Sequence, residues 1–181
     1  MRAEYKLINT VFHGSVGREV KFIVDAMLGD VARWLRILGY DTKYSRSYDD
    51  NDVLRIAERE GRVIVTRDTG LFRRAIKRRL KAVLLNPDDE IEDALLKISL
   101  RTGIDPSFKP NETRCPLCNT RLVTISKAEA LSLVPASVGT RYDKFWKCPK
   151  CGKVYWQGNH WRTIERIIDE VQKRLLRGHR R

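Results

Sequence analysis

Apolar and polar positions alternate between strand-like and helix-like patterns along the first hundred residues. Val20, Phe22, Ile23 and Val24 form a short run of strand formers that ends at Asp25. Leu28, Val31, Ala32, Leu35 and Leu38 then recur at helical spacing, and Gly39 suits the position just past a helix end. The same alternation predicts a short second strand over 41–45, a helix over 52–60 stopped by Gly61, and a buried third strand over 62–66. It continues with a helix over 71–79, a fourth strand over 82–85, and a helix capped by Asp88 or Asp89 that runs to Leu100. Gly103, Pro106 and Pro110 mark a linker. Each helix is long enough for a right-handed crossover, so the pattern predicts an α/β fold with a parallel sheet covered by helices. No residue period recurs, which excludes a repeat architecture.

Length and charge narrow the partners. A chain of 181 residues holds one ordinary domain and a smaller second one. No apolar run approaches the roughly 18 residues of a membrane span, and the N-terminus lacks a secretory apolar core. The expectation is therefore a cytoplasmic protein with no membrane contact. The formal charge is +13, from 36 basic and 23 acidic residues. Residues 141–181 alone hold 12 Lys/Arg against 4 Asp/Glu. A polyanion such as nucleic acid is the economical partner.

Three acids stand where chemistry is expected. Asp25 ends the first strand, Asp68 follows the third, and Asp52 opens the helix between them. Taken singly, each also suits a helix cap or a turn. In a parallel sheet, however, strand ends of one type share one edge, where ligands collect. Grouped carboxylates repel unless a cation sits among them. Oxygen ligands suit Mg²⁺ or Mn²⁺, and such an ion can activate water against a phosphodiester. Arg33, Arg36, Arg67, Arg73 and Arg74 are candidate phosphate contacts around this edge.

The four cysteines form two C-x₂-C pairs, Cys115/Cys118 and Cys148/Cys151, with 29 residues between them. One tight turn presents both thiolates of such a pair to a tetrahedral zinc ion. Two disulfides are the alternative, disfavoured in a reducing compartment. Four thiolates leave no open position for water, so this zinc is expected to be structural. Thiolates and Zn²⁺ together lower the formal charge to about +11. Lys147 and Trp156 flank the second pair and are candidate nucleic-acid contacts through stacking and phosphate binding. Trp146, Tyr155 and Trp156 also suit a small ribbon core.

These residues carry a resemblance. The runs 22–29, 32–41, 52–57 and 63–68, the paired cysteines and the segment 155–161 (YWQGNHW) occur in order and at suitable spacing. Over about residues 20–165 the chain resembles the Mut7-C ribonuclease family of PIN-like proteins. The resemblance implies a PIN-like α/β/α sandwich followed by a C-terminal zinc ribbon. It also implies a divalent-metal-dependent ribonuclease with Asp25, Asp52 and Asp68 as its catalytic and metal-binding acids, and an RNA-contact role for His160. Many PIN nucleases carry a further acid two residues after the one matching Asp68. Gly70 stands there, and Asp30 is the foremost substitute, ahead of Asp49, Asp50 and Asp88. The expected organisation is an extension over 1–19, a PIN-like domain over 20–104, a zinc ribbon over 111–163, and a basic helix and tail over 164–181. The competing reading is an RNA-binding or ribosome-associated module with weak or absent catalysis. A toxin nuclease with a cognate antitoxin ranks third.

Overall fold

The computed structural model describes residues 20–178, so the expectations for residues 1–19 and for the last three residues of the tail lie outside it. Four strands form one parallel sheet: β1 (Lys21–Val24), β2 (Asp41–Lys43), β3 (Val63–Thr66) and β4 (Ala82–Leu84), in the order β2-β1-β3-β4. Phe22 pairs with Thr42 on one side and Val63 on the other, and Val65 pairs with Val83. Both faces of these strands are apolar because helices cover both. Four helices follow the strands in turn: α1 (Gly29–Ile37), α2 (Asp50–Glu60), α3 (Thr69–Lys77) and α4 (Ile91–Thr102). Phe22, Val24, Val65 and Val83 pack with Leu35 of α1 and Leu95 and Ile98 of α4. Ile23 and Ile64 point the other way and pack with Leu54 of α2 and Leu71 and Ala75 of α3. The mixed α/β class and the parallel sheet agree with the sequence pattern.

The chain steps from β1 to β2 in one direction and returns past β1 to reach β3. Right-handed crossovers then put α1 and α2 on opposite faces. The reversal makes the C-terminal ends of β1 and β3 the switch point of the sheet, the place where ligands collect in open parallel sheets.

A smaller antiparallel sheet follows, of β5 (Val123–Ile125), β6 (Phe145–Lys147) and β7 (Val154–Trp156) in that order. Two short helices, α5 (Lys127–Leu131) and α6 (Ala136–Arg141), fill the segment between β5 and β6.

The last element, α7 (Asn159–Gly178), is a helix that begins before the start at 164 read from the sequence. Its charged face is visible in sequence, but Ile167, Ile168 and Val171 are buried in the same cluster as Leu95 and Ile98. Arg174 Nη2 donates to Asp93 Oδ1 of α4 at 2.6 Å. The helix therefore lies against α4 and extends the helical layer on that face. Among the described residues, no helix is long and apolar enough to cross a membrane.

Candidate active site and metal centre

The candidate site lies at the C-terminal ends of β1 and β3. Asp25 follows β1, and its N–H donates to the Val65 carbonyl at 3.0 Å, so pairing continues one residue past the strand. The turn into α1 is held by Tyr44, whose hydroxyl donates to the Ala26 carbonyl at 3.0 Å. Gly29 is needed there, because a Cβ would come within 2.6 Å of that hydroxyl oxygen.

Thr66 joins the two acids. Its fully buried Oγ1 donates to Asp25 Oδ2 at 2.7 Å and accepts the Asp68 N–H at 2.9 Å. Asp68 caps α3, with Oδ1 accepting from the N–H groups of Gly70 (2.5 Å) and Leu71 (3.0 Å). Asp25 Oδ1 takes no part in the bond to Thr66, and Asp68 Oδ2 takes no part in the cap. Two carboxylates on adjacent strand ends thus each keep one oxygen outside this network. A Cβ at position 70 would lie 3.0 Å from Asp68 Oδ1, so glycine leaves the cap uncrowded.

Asp52 is placed differently from the expectation. Helix α2 begins at Asp50, with Asp49 as its cap accepting the Asp52 N–H at 2.8 Å. Asp52 therefore sits in the first turn, where Arg55 Nη2 donates to its Oδ1 at 2.7 Å. That bond from Arg55 holds the Asp52 carboxyl below the usual range. The structure links Asp25 with Asp68. Asp52 does not join them in a ready three-carboxylate cluster: among the described residues, the four cysteines are the single group of three or more such side chains placed to hold a metal. A Mg²⁺-type ion is commonly held by one or two carboxylates plus waters and phosphates, and Asp25 and Asp68 are the two candidate acids that Thr66 connects. Asp30 is exposed in the first turn of α1, and Asp50 Oδ2 accepts from Arg74 Nη1 at 3.0 Å.

The arginines separate into roles. Arg33 and Arg73 are exposed. Arg74 also donates to Asn51 Oδ1 at 2.5 Å, and Arg67 Nη2 donates to the Asp89 carbonyl at 2.7 Å. Arg36, expected among the phosphate contacts, is corrected by the structure. It is 5% exposed, and its guanidinium donates to the carbonyls of Thr42 (3.0 Å), Pro116 (2.9 Å) and Leu117 (3.2 Å). Its donors are directed at backbone inside the protein, so it serves the packing of the cysteine knuckle on the sheet.

That knuckle belongs to the metal centre. Cys115 Sγ lies 3.7 Å from Cys151 Sγ, Cys118 Sγ lies 3.4 Å from Cys148 Sγ, and all four sulfurs lie within 4.8 Å of one another. A tetrahedron of Zn–S bonds of about 2.3 Å has edges of about 3.8 Å, so the donor set fits zinc. The four thiols are free of disulfide bonds. In both knuckles the first cysteine's carbonyl accepts from the residue after the second cysteine: Asn119 N–H to Cys115 and Gly152 N–H to Cys148, each at 2.9 Å. Both residues adopt the left-handed conformation, with φ 67° and 74°. Without a cation the thiols do not ionise alike. Burial holds Cys148 up at about 12, whereas at Cys118 burial is outweighed by the combined bonds of Thr120, Cys148 and Cys115, which bring it to about 6.

Asn119 also docks the knuckle on the outer edge of β2. Its Oδ1 accepts the Thr42 N–H at 2.9 Å, and its Nδ2 donates to Asp41 Oδ1 at 2.7 Å. Neither Asn119 nor Thr66 was singled out for such a role in the sequence. The available signals were an asparagine where the second knuckle has glycine, and a hydroxyl ending the run Val63-Ile64-Val65. Of the remaining candidates, Lys147 pairs with Glu129 at 3.0 Å, Trp156 is half-buried, and His160 is exposed.

Residues 20–168 match the family model described as the Mut7-C RNAse domain. No curated protein sequence matches the chain significantly.

Proposed function

Because the chain belongs to the Mut7-C RNAse domain family, we propose that it is a divalent-metal-dependent ribonuclease that hydrolyses RNA phosphodiesters at the C-terminal ends of β1 and β3. The observation that carries this reading is the Asp25–Asp68 pair joined through Thr66. Asp25 and Asp68 would hold Mg²⁺ or Mn²⁺, with Asp52 the candidate third ligand if its pairing with Arg55 were released. Such an ion supplies a nucleophilic water of lowered pKa and offsets charge on the phosphoryl oxygens. Thr66 fixes the Asp25 carboxylate, so one of its oxygens is presented in a constant direction. Arg33 and Arg73, both exposed, offer phosphate contacts, and the zinc ribbon positions the strand. Structural zinc needs reduced thiols, which suits the cytoplasm.

Asn at either acid keeps the local bonds: it still caps a helix, and its carbonyl still accepts from Thr66. Asp25→Asn and Asp68→Asn should therefore fold with full zinc content. Each should lower Mn²⁺-dependent cleavage of single-stranded RNA by at least about 10–100-fold, the cost of losing even an outer partner of a metal site. Undiminished cleavage by both variants would sink the mechanism.

A second reading has its own observations: the pairing of Asp52 with Arg55 and the glycine at position 70. They favour an RNA-binding module with weak chemistry. Tight, salt-sensitive binding with no Mn²⁺-dependent cleavage in the same preparation would select it.

A further inference from the structure

A cavity of about 560 Å³ opens where the zinc ribbon, the linker after α4 and the start of α7 meet. None of the candidate acids lines it. Its volume lies within the range of small-ligand sites, about 300–1,000 Å³. The walls are aromatic: Phe108, Tyr142, Trp146, Tyr155, Trp156 and Trp161. Three of the chain's four tryptophans are among them.

The back of the cavity is held in place. Trp146 and Trp161 lie 5.2 Å apart with their planes 31° from parallel, and Phe108 meets Trp161 edge-on at 4.9 Å. Trp146 Nε1 donates to Asn111 Oδ1 at 3.1 Å. The Tyr155 hydroxyl lies 3.1 Å from Cys115 Sγ, which ties the wall to the zinc centre. Trp156 is half-buried, and Gly158 gives it room, since a Cβ there would lie 3.0 Å from its Nε1. The charged lining is wholly basic: exposed Lys153 and His160, with no carboxylate among the lining residues.

We propose that this cavity is a nucleobase pocket that takes one unpaired base of single-stranded RNA, with Lys153 and His160 contacting the adjoining phosphates. Flat apolar rings bearing polar edges fit aromatic walls, and a strand of phosphates fits a basic rim on a chain of formal charge +13. The choice of RNA as the source of the base rests on the ribonuclease reading. The pocket would hold the strand at a second point, apart from the acids, and its shape depends on zinc through Tyr155 and Trp146.

Binding of a fluorescent ten-residue oligo(U) to the zinc-loaded full-length protein tests this, with no Mg²⁺ or Mn²⁺ added. Trp156→Ala should weaken binding by about tenfold, the scale of one lost stacking contact, and Trp156→Phe should restore most of it. Free UMP should compete poorly. On the wild-type protein, photo-crosslinking of a 4-thiouridine oligomer should give adducts at Tyr142, Trp156 or His160. Unchanged affinity in a zinc-replete Trp156→Ala variant would overturn the pocket, as would crosslinks confined to other surfaces. Competition by UMP as strong as that of the oligomer would overturn RNA as the occupant. If Trp156→Ala loses its zinc, the wild-type crosslink map decides. Pocket crosslinks without any cleavage would support the pocket while removing the nuclease reading. Cleavage lost in Asp25→Asn with no crosslinks in the pocket would do the reverse.

Discussion

At the scale of single residues, Thr66 has the largest assigned consequence for its size. One buried hydroxyl satisfies an acid on β1 and the backbone of an acid on β3. Thr66→Val keeps the shape but leaves Asp25 Oδ2 and the Asp68 N–H without that partner. Such a loss costs about 1–3 kcal/mol. As a positioning residue, Thr66 should also set metal affinity. Thr66→Val should raise the Mn²⁺ concentration needed for half-maximal cleavage by about 10–100-fold, and Thr66→Ser should restore it. A loss of stability with an unchanged Mn²⁺ requirement would make the hydroxyl structural only.

At the scale of elements, the first cysteine knuckle and the β2 edge behave as one unit. Asn119 covers the outermost N–H of the sheet, and Arg36 runs from α1 to the carbonyls of Pro116 and Leu117. Arg114 adds its N–H to the Arg36 carbonyl at 2.9 Å and its Nε to the Gly39 carbonyl at 3.0 Å. Edge strands left open invite mispairing, and this ribbon closes one. Zinc removal by a chelator should therefore lower the melting temperature of the α/β unit along with that of the ribbon. Arg36→Met should destabilise the zinc-loaded protein by at least about 1.5–3 kcal/mol, the range for one hydrogen bond to a charged group. Chemical denaturation followed by far-UV circular dichroism measures both. A ribbon that unfolds alone, leaving the α/β transition in place, would contradict the coupling.

At the scale of the whole molecule, the edge of the sheet opposite the acids is closed by charge. Arg62, 6% exposed, donates to the Phe22 carbonyl, to both Asp41 carboxylate oxygens and to Glu60 Oε2. Glu60 also accepts from Arg59 and Lys43, each at 2.7 Å. These bonds, that from Arg59 foremost, bring its carboxyl from the usual 4.5 down to about 2. A carboxyl depressed in the folded state contributes stability that is complete above its unfolded value and lost as pH falls through the folded value. The stability advantage of the wild type over Glu60→Gln should therefore be full above about pH 4.5 and disappear by about pH 2. Denaturant midpoints measured across that window check the sign. An advantage that grows on acidification would refute the assignment.

Much of this architecture is local in origin, and local features are legible in the chain. Runs such as Phe22-Ile23-Val24 and Val63-Ile64-Val65 specify buried parallel strands because both faces must be apolar. Parallel connection alone then sends Asp25 and Asp68 to one edge. The C-x₂-C spacing specifies a knuckle because one turn spans it. Other features depended on contacts distant in sequence. Position 36 reads as solvent-facing until carbonyls 80 and 81 residues later satisfy its guanidinium. Asp49, Asp50, Asn51 and Asp52 all suit a helix start, and the structure places the cap at Asp49. Helix α7 reads as an amphipathic helix, but what its apolar face packs on is decided only where Ile167, Ile168 and Val171 meet α4. The sequence by itself determined the order of strands and helices, the acids that share an edge and the two cysteine pairs, since each follows from periodicity or short spacing. The tertiary structure decided which side chains share a hydrogen bond, which charge is buried and where the aromatic cavity opens, because those depend on helix rotation and on segments brought together only in the folded chain.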